Sequence, residues 1–353
     1  MSRRRGRVFL AKVDLKDRRI LHELDHNARI PFSKLGRKIG LSESVVRYRV
    51  DRLLSSGVLR GFLTFIDSPK LGYHFHTLFI KLKVISEAKE RDIIERLKRH
   101  PSVCWLCSTS GPYHLIVSML VRDAHHLLDV QNDIARIVEN CIVEDSLFIA
   151  TTACQLPYPL LPGQKRDVIE KTAQISAAQK MRLDRIDLKI LELLSLNSRV
   201  TALELSEKLG LCVGAVSERY DRLVSSDLVQ GFKPSIDMSK LGKQWYVVLF
   251  KLKYVDVRMR NSFVEYLKSL PQTFFVVNGV GNWGMQVEFY CDDDREFRQV
   301  LNRIFPSQKS DIIKEHAELR VNEEHKCVFY PFSIAGDTVQ ASLDLWCTVK
   351  KSR

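Results

Sequence analysis

An internal repeat constrains this 353-residue chain more than any other feature of its sequence. Shifted by 170 residues, the sequence aligns with itself without a gap, and 24 of the 58 positions over 15–72 are identical. The motif Asn-x-Arg at 27–29 recurs at 197–199, and further along Gly111 matches Gly281. A period this long indicates two copies of a domain pair rather than a solenoid of short units.

The first half of each copy has the pattern of a winged helix-turn-helix. Apolar residues at 20, 21 and 24 predict a helix over 15–26, and a second short helix is expected at 33–39. After a tight turn at Gly40, Ser42 is a good N-cap for a third helix that ends near Ser55. The alternating run VLRGFLTFI that follows predicts a short wing strand or a hairpin.

The second half of each copy predicts a ferredoxin-like βαββαβ domain. In the first copy the expected order is strand 76–85, helix 87–99, strands 102–109 and 113–121, helix 123–138 and strand 142–151. The chain is therefore expected to be an α+β protein. Its expected parts are a basic N-terminal arm at 1–14, a winged helix-turn-helix at 15–72, a ferredoxin-like domain at 73–154, a linker with a polar helical stretch at 155–181, a second winged helix-turn-helix at 182–242 that is a candidate for a degenerate copy, a second ferredoxin-like domain at 243–334 and a tail at 335–353.

Charge indicates the class of partner. The formal charge of +13 and the sequence pI near 9.4 point to a polyanion, nucleic acid before membrane, with an inert basic surface as the alternative. No apolar run reaches the length of a membrane span, and the N-terminus lacks the apolar core of a signal peptide. Eight widely spaced cysteines are typical of reduced thiols, so a cytoplasmic protein is expected.

Long segments of both copies resemble a known family. The first copy reads LKDRRILHELDHNARI over 15–30, LGRKIGLSESVVRYRVDRLLSSGVLRGF over 35–62 and DSPKLG over 67–72, and the second reads LDRIDLKILELLSLNSRV over 183–200. These segments resemble the Lrp/AsnC (feast/famine) transcription regulators of bacteria and archaea. The resemblance implies binding of double-stranded DNA and an α+β domain for dimerisation and effector sensing. With both copies in one chain, it implies an intrachain pseudo-dimer and further homo-oligomerisation.

Two readings from other classes stay open beside it. Sirohaem decarboxylases share this architecture as two related subunits, and a fused pair would look like this chain. The histidine- and arginine-bearing motifs of those enzymes are not found intact here. A scaffold that uses its helix-turn-helix units for protein contacts is the third reading, and the basic first module argues against it.

The third helix of the first copy is the expected DNA reader. Val46, Val50 and Leu53 are predicted to face the core, which leaves the first turn and the opposite side for the major groove. Arg47 is expected to bind a guanine edge or a phosphate, and Tyr48 a phosphate or a thymine methyl group. Nine residues are predicted to contact DNA, the first five at the groove and the others at the backbone: Ser42, Glu43, Ser44, Arg47, Tyr48, Arg52, Lys34, Arg37 and Lys38.

Arg49, the basic residue next to this set, has two interpretations. Asp17 and Arg49 recur together as Asp187 and Arg219. Because both partners are kept in both copies, a structural ion pair between the first and third helices is at least as well supported as base reading by Arg49.

The two copies differ in charge. Residues 1–80 hold 17 Lys and Arg against 7 Asp and Glu, whereas residues 180–250 hold 11 against 9. In the second reader helix the pair Arg-Tyr at 47–48 becomes Ser-Glu at 217–218, and Ser44 becomes Gly214. The first module is therefore expected to supply most of the DNA affinity.

Two turns are the candidates for an effector site. GPYH at 111–114 and GNWG at 281–284 occupy the place of the family's Gly-x-x-Asp turn, near its small-molecule site, and both lack the aspartate. They either hold a small-molecule effector or are tight β-connections. The candidate effector residues are Gly111, Tyr113, His114, Asn282 and Trp283.

The sequence gives only weak indications of a metal or redox site. Cys104 and Cys107 are spaced like a metal or redox pair, but residues three apart on a regular strand face opposite sides, and small buried hydrophobes are the better interpretation. His74 and His76 share a strand face with apolar residues and match Gln and Tyr in the second copy. The sequence predicts no metal site, no cofactor and no catalytic residue.

Overall fold

The computed structural model of the chain describes residues 11–161, 172–174, 181–254, 256–307 and 311–332. Most of the predicted N-terminal arm, the predicted tail and much of the predicted linker lie outside these residues. Among the described helices, none is long and apolar enough to cross a membrane.

Three helices and a strand form the first winged helix-turn-helix: α1 (Leu15–His26), α2 (Phe32–Ile39), α3 (Glu43–Ser55) and β1 (Leu59–Ile66). Gly40 ends α2 in the left-handed conformation, with φ of 68°, which glycine adopts at little cost. The Ser42 hydroxyl accepts a hydrogen bond from the Val45 amide, so the predicted N-cap is confirmed.

A four-stranded antiparallel sheet with two helices follows. Its elements are β2 (His74–Leu82), α4 (Glu87–Arg99), β3 (Val103–Ser110), β4 (Leu115–Val121), α5 (Ala124–Val138) and β5 (Ile142–Gln155). The strand order β5-β2-β4-β3 is that of a ferredoxin-like domain, and the predicted α+β fold is confirmed.

The second copy repeats this plan after a short strand, β6 (Thr172–Gln174). Its elements are α6 (Arg185–Leu196), α7 (Ala202–Leu209), α8 (Val213–Ser225), β7 (Val229–Ile236), β8 (Gln244–Leu252), α9 (Val257–Ser269), β9 (Thr273–Gly281), β10 (Met285–Cys291), α10 (Asp294–Ile304) and β11 (Ile313–Cys327).

The two sheets join through their long last strands. The first part of β5 pairs with β2 in its own copy, and residues 148–155 pair with β9 of the other copy. In the same way, the first part of β11 pairs with β8 in its own copy, and its last part pairs with β3 of the other copy. Eight strands therefore close into one ring, ordered β5-β2-β4-β3-β11-β8-β10-β9. The sequence placed the end of β5 at residue 151, and the four residues beyond it belong to the pairing between copies.

The wings are also exchanged between the copies. Strands β1 and β7 pair with each other antiparallel, from Leu59 opposite Ile236 to Ile66 opposite Val229. We call this pair the wing ribbon. A hairpin within one copy, one of the two predicted forms of the wing, does not form in the described residues 58–73. Helix α6 packs against β1 and α1 against β7, so each first helix lies on the wing of the other copy.

The predicted linker is wrong in its first part. Leu156 is buried, and Tyr158 and Leu160 lie in the core of the first helix-turn-helix unit. The Leu156 amide donates to the Phe274 carbonyl at 2.7 Å, and the Tyr158 amide donates to the buried Asp25 at 2.8 Å. These apolar side chains cover the inner face of the helices, so the chain is held here rather than free. In the predicted helical stretch, residues 172–174 form a strand against β5.

Candidate nucleic-acid interface

Helix α3 presents one face to the core and the other to solvent, as its sequence predicts. Val46, Val50 and Leu53 are at most 2% exposed. The outer face forms an open surface lined by Glu43, Ser44, Arg47, Tyr48 and Asp51. The five residues predicted to meet the major groove, Ser42, Glu43, Ser44, Arg47 and Tyr48, are all exposed.

The side chain of Arg47 is half-exposed and held by its neighbours. Its Nη2 lies 3.0 Å from the Glu43 carboxylate one turn earlier, and its guanidinium lies 5.2 Å from the centre of the Phe32 ring. Exposed ion pairs of this kind contribute little stability, so a phosphate or a guanine edge can displace Glu43.

The residues predicted to touch the DNA backbone fall into two groups. Lys34, Arg37 and Lys38 are exposed on α2, where Lys38 pairs with Glu23 at 2.6 Å. Arg52 instead donates to Asp17, a fully buried carboxylate. Part of its guanidinium is therefore committed to the fold.

Asp17 is the centre of a structural ion-pair cluster. Arg49 donates to Asp17 at 2.8 Å and to Asp14 at 2.7 Å. The second copy repeats the arrangement with Arg219 on Asp187 and Asp184. The predicted structural role of Arg49 is confirmed, because a buried carboxylate needs paired and hydrogen-bonded partners.

Helix α8 departs from α3 as the charge comparison predicts. Its N-cap is Cys212, whose side chain makes no capping hydrogen bond. Glu218 is exposed at the position that Tyr48 holds in α3. Helix α8 thus lacks the side-chain cap that α3 has, and Glu218 places a negative charge on the face that would meet the DNA phosphates.

The repeated Asn-x-Arg motif joins the two helix-turn-helix units, a role that sequence reasoning missed. Nη1 of Arg29 donates to the carbonyls of Ser198 and Val200, the latter at 3.0 Å. Arg199 donates in return to Ala28 and Ile30. We call this the arginine clamp. The recurrence of the motif in both copies was the signal that could have revealed it.

The clamp also concentrates positive charge near α3. The Arg199 guanidinium lies 4.2 Å from the centre of the Phe32 ring, which Arg47 also contacts. Burial, together with the charges of Arg29 and Arg47, lowers the pKa of Arg199 to about 10. The second copy therefore contributes a cation beside the first recognition helix.

The predicted effector turns contain two buried aromatic residues. Tyr113 and Trp283 are 3% and 4% exposed and meet each other, with the indole Nε1 3.4 Å from the phenol oxygen. A Cβ at Gly111 would lie 2.5 Å from the Glu318 carbonyl oxygen, because the turn packs against β11. His114 accepts from the Leu82 amide at 2.9 Å, whereas Asn282 is exposed. These contacts give Gly111, Tyr113, His114 and Trp283 structural roles.

Cys104 and Cys107 are buried, which agrees with the interpretation as small hydrophobes. A bulge between Val103 and Trp105 places both cysteines in one core cluster, so the expectation of opposite faces was wrong. Burial raises the pKa of the Cys104 thiol to about 12. Among the described residues, no group of three His, Cys, Asp or Glu side chains is arranged to hold a metal ion.

Comparison with protein families identifies both helix-turn-helix units. Residues 13–54 match the AsnC-type helix-turn-helix domain, and residues 183–230 match a winged helix-turn-helix DNA-binding family. An uncharacterized HTH-type transcriptional regulator of Pyrococcus abyssi is 35% identical over 33% of this chain and 72% of its own length. The HTH-type transcriptional regulator LrpA of Pyrococcus horikoshii is 32% identical over 35% of this chain and 88% of its own length.

A solved structure resembles the whole chain. The siroheme decarboxylase NirDL superposes with a TM-score of 0.60 over 96% of this chain and 99% of its own, at 12% sequence identity. At that identity the likeness shows a shared fold for the paired architecture and no more.

Proposed function

Because this chain belongs to the Lrp/AsnC family of transcriptional regulators, we propose that it is a cytoplasmic regulator that reads double-stranded DNA mainly through helix α3. The observation that carries the proposal is the exposed outer face of α3, where Arg47 and Tyr48 project beside the basic residues of α2. The face has the length and form of an element that enters the major groove.

The proposal includes an intrachain pseudo-dimer. The ring of eight strands, the wing ribbon and the arginine clamp hold the two helix-turn-helix units in one arrangement. A fixed arrangement lets the second unit orient α3 on DNA even if it reads few bases. The bound site is then expected to be asymmetric. Further homo-oligomerisation is part of the proposal.

The experiment compares two charge changes at equivalent faces. Arg47→Glu replaces a cation with an anion at the groove and should lower affinity for a selected DNA site at least a hundredfold. Glu218→Lys should leave affinity unchanged or raise it, because it removes repulsion from phosphate. Both are measured by fluorescence anisotropy, with the site first selected from a random DNA pool.

Two outcomes would contradict the proposal. If Glu218→Lys were the damaging change, the asymmetry would be wrong. If wild-type binding were equal for all sequences and nearly independent of salt, a sequence-reading role would fail. The decarboxylase alternative predicts that sirohaem added to the protein shifts its visible absorbance band and stays with the protein through gel filtration, which a regulator of this kind should not show.

A further inference from the structure

A cavity of about 60 Å³ lies between the wing ribbon and the ring of eight strands. Leu63 and Phe65 of β1 and Ile236 of β7 form its ribbon side. One water molecule needs about 10–15 Å³ of cavity volume, so this cavity has room for about four to six non-hydrogen atoms. We call this cavity the ribbon chamber.

One wall of the ribbon chamber holds a buried carboxylate without a charge partner. Glu288 is 3% exposed and accepts from Gln286 Nε2 at 2.9 Å and from Trp245 Nε1 at 3.1 Å. In the described part of the chain, no lysine, arginine or histidine pairs with it. Burial raises the pKa of Glu288 to about 8.

A second acceptor beside it is unused. Gln286 is 2% exposed and lines the ribbon chamber, and among the described residues its Oε1 accepts no hydrogen bond. Leaving a buried acceptor unpaired costs free energy. Glu288 and the Gln286 oxygen therefore offer two hydrogen-bond acceptors at one place, and a bound cation with N–H donors would satisfy both.

The other nearby carboxylate is already satisfied. Glu324 accepts from Trp105 Nε1 at 2.9 Å and from Arg60 Nη1 at 3.0 Å. Arg60 also pairs with Asp237 at the end of β7, at 2.8 Å, so its guanidinium joins both strands of the ribbon to Glu324 on β11. Glu324 adds negative potential to the ribbon chamber and would repel a ligand that carries its own carboxylate.

Aromatic rings make up much of the remaining wall. The ring centres of Trp105 and Trp245 lie 5.9 Å apart, and those of Trp245 and Tyr290 lie 5.3 Å apart. Tyr158 and Phe274 continue the wall, and their ring centres lie 4.5 Å apart. Aromatic faces next to a carboxylate are suited to an organic cation, which they attract through their quadrupoles.

The repeat shows that the fold does not require this acid. Glu288 and Gln286 align with Ser118 and Ile116 in the first copy, and Glu324, which pairs with Cys107, has its counterpart in Ala153, which pairs with Val277. Equivalent strand positions thus pack without any buried carboxylate. Because burying an uncompensated acid is costly, its presence in one copy alone points to a ligand rather than to packing.

We propose that the ribbon chamber binds a small primary amine as its ammonium ion. The Glu288 carboxylate and Gln286 Oε1 accept its N–H donors, and the aromatic rings enclose an apolar body of a few carbons. Because the wing ribbon forms one wall and connects both helix-turn-helix units, occupancy changes DNA affinity. This regulatory part rests on the proposed function, whereas the binding site does not.

The experiment titrates the full chain with n-butylammonium chloride, with n-butanol as the neutral probe of matched shape. Calorimetry and tryptophan fluorescence report binding, since Trp105 and Trp245 line the ribbon chamber. Saturable binding of the amine is expected, at least tenfold weaker in Glu288→Gln. The control Glu265→Gln, an exposed carboxylate paired with Lys268 on α9, should bind like wild type.

A second variant guards against misfolding. Gln286→Ile introduces the residue that the first copy has at this position, so it should fold. It loses the free acceptor and also the amide that donates to Glu288, and its affinity should fall severalfold. The site is overturned if butylammonium does not bind, if n-butanol binds equally, or if Glu288→Gln and Gln286→Ile bind like wild type.

The affinity should also depend on pH. A proton on Glu288 competes with the ammonium ion, so affinity should fall about tenfold per pH unit below about 8. The charged or titratable groups around Glu288 are Glu324 and Cys327 on β11, Tyr290 on β10, Cys107 on β3, Tyr158, and Arg60 with Asp237 from the ribbon side. An affinity that does not change between pH 6 and 8 would contradict the role of the Glu288 carboxylate.

DNA binding with and without butylammonium separates the two proposals. Amine binding that leaves DNA affinity unchanged overturns the regulatory part and keeps the site. A chain that binds the amine but no DNA overturns the proposed function instead.

Discussion

Replacing Glu288 by glutamine should change how stability depends on pH. The carboxyl is buried on β10, and its pKa is raised from the ordinary 4.5 to about 8, first by burial and then by the charge of Glu324. A carboxyl with a raised folded-state pKa stabilises the fold fully below pH 4.5. That contribution is lost as pH rises to about 8, because the folded protein resists giving up the proton.

The expected magnitude follows from the two pKa values. Their difference of about 3.5 corresponds to about 5 kcal/mol of unfolding free energy at about 1.4 kcal/mol per pH unit. At pH 7 the loss is about 3 kcal/mol. Glutamine has nearly the same shape and no charge, so Glu288→Gln should escape this loss. The unpaired Gln286 oxygen can accept from the new amide after a rotation of its side chain.

The assay is urea unfolding followed by circular dichroism at pH 5, 7 and 8.5. Glu288→Gln should lie within about 1 kcal/mol of wild type at pH 5 and exceed its stability increasingly as pH rises. Glu265→Gln, at an exposed position on α9, should follow the wild-type curve throughout. A constant difference between Glu288→Gln and wild type at all three pH values would refute the reasoning.

Two further predictions concern the helix-turn-helix units. Arg29→Ala leaves the carbonyls of Ser198 and Val200 without their donor, so it should lower the unfolding free energy in urea by about 2–3 kcal/mol and weaken DNA binding. Arg37→Ala, on the exposed side of α2, should affect DNA binding only. Equal stability of the two variants would contradict the arginine clamp. Cys212→Ser should stabilise α8 by about 1 kcal/mol by adding the missing N-cap, and no gain in urea stability would show that this helix end needs no side-chain cap.

Much of the fold could be predicted from the sequence because its signals are local. Helix α3 runs from Glu43 to Ser55 as expected, since a capping serine and apolar residues three and four apart act within one or two turns. The Asp17–Arg49 pair was predicted because the duplication preserved both partners. The exposed face of α3 with Arg47 and Tyr48 was predicted in the same way, from the apolar periodicity of a single helix.

Only the tertiary structure decided which copy each strand joins. Backbone hydrogen bonds between strands carry little sequence information, so β1 could have paired within its own copy, yet it pairs with β7 about 170 residues away. The same holds for Tyr113 and Trp283, two of the predicted effector residues, which pack against each other across the two copies. The ribbon chamber exists because Glu288, Trp105 and Phe65 come from distant segments. Repetition and periodicity determined the units of this protein, and long-range pairing decided how those units enclose a site.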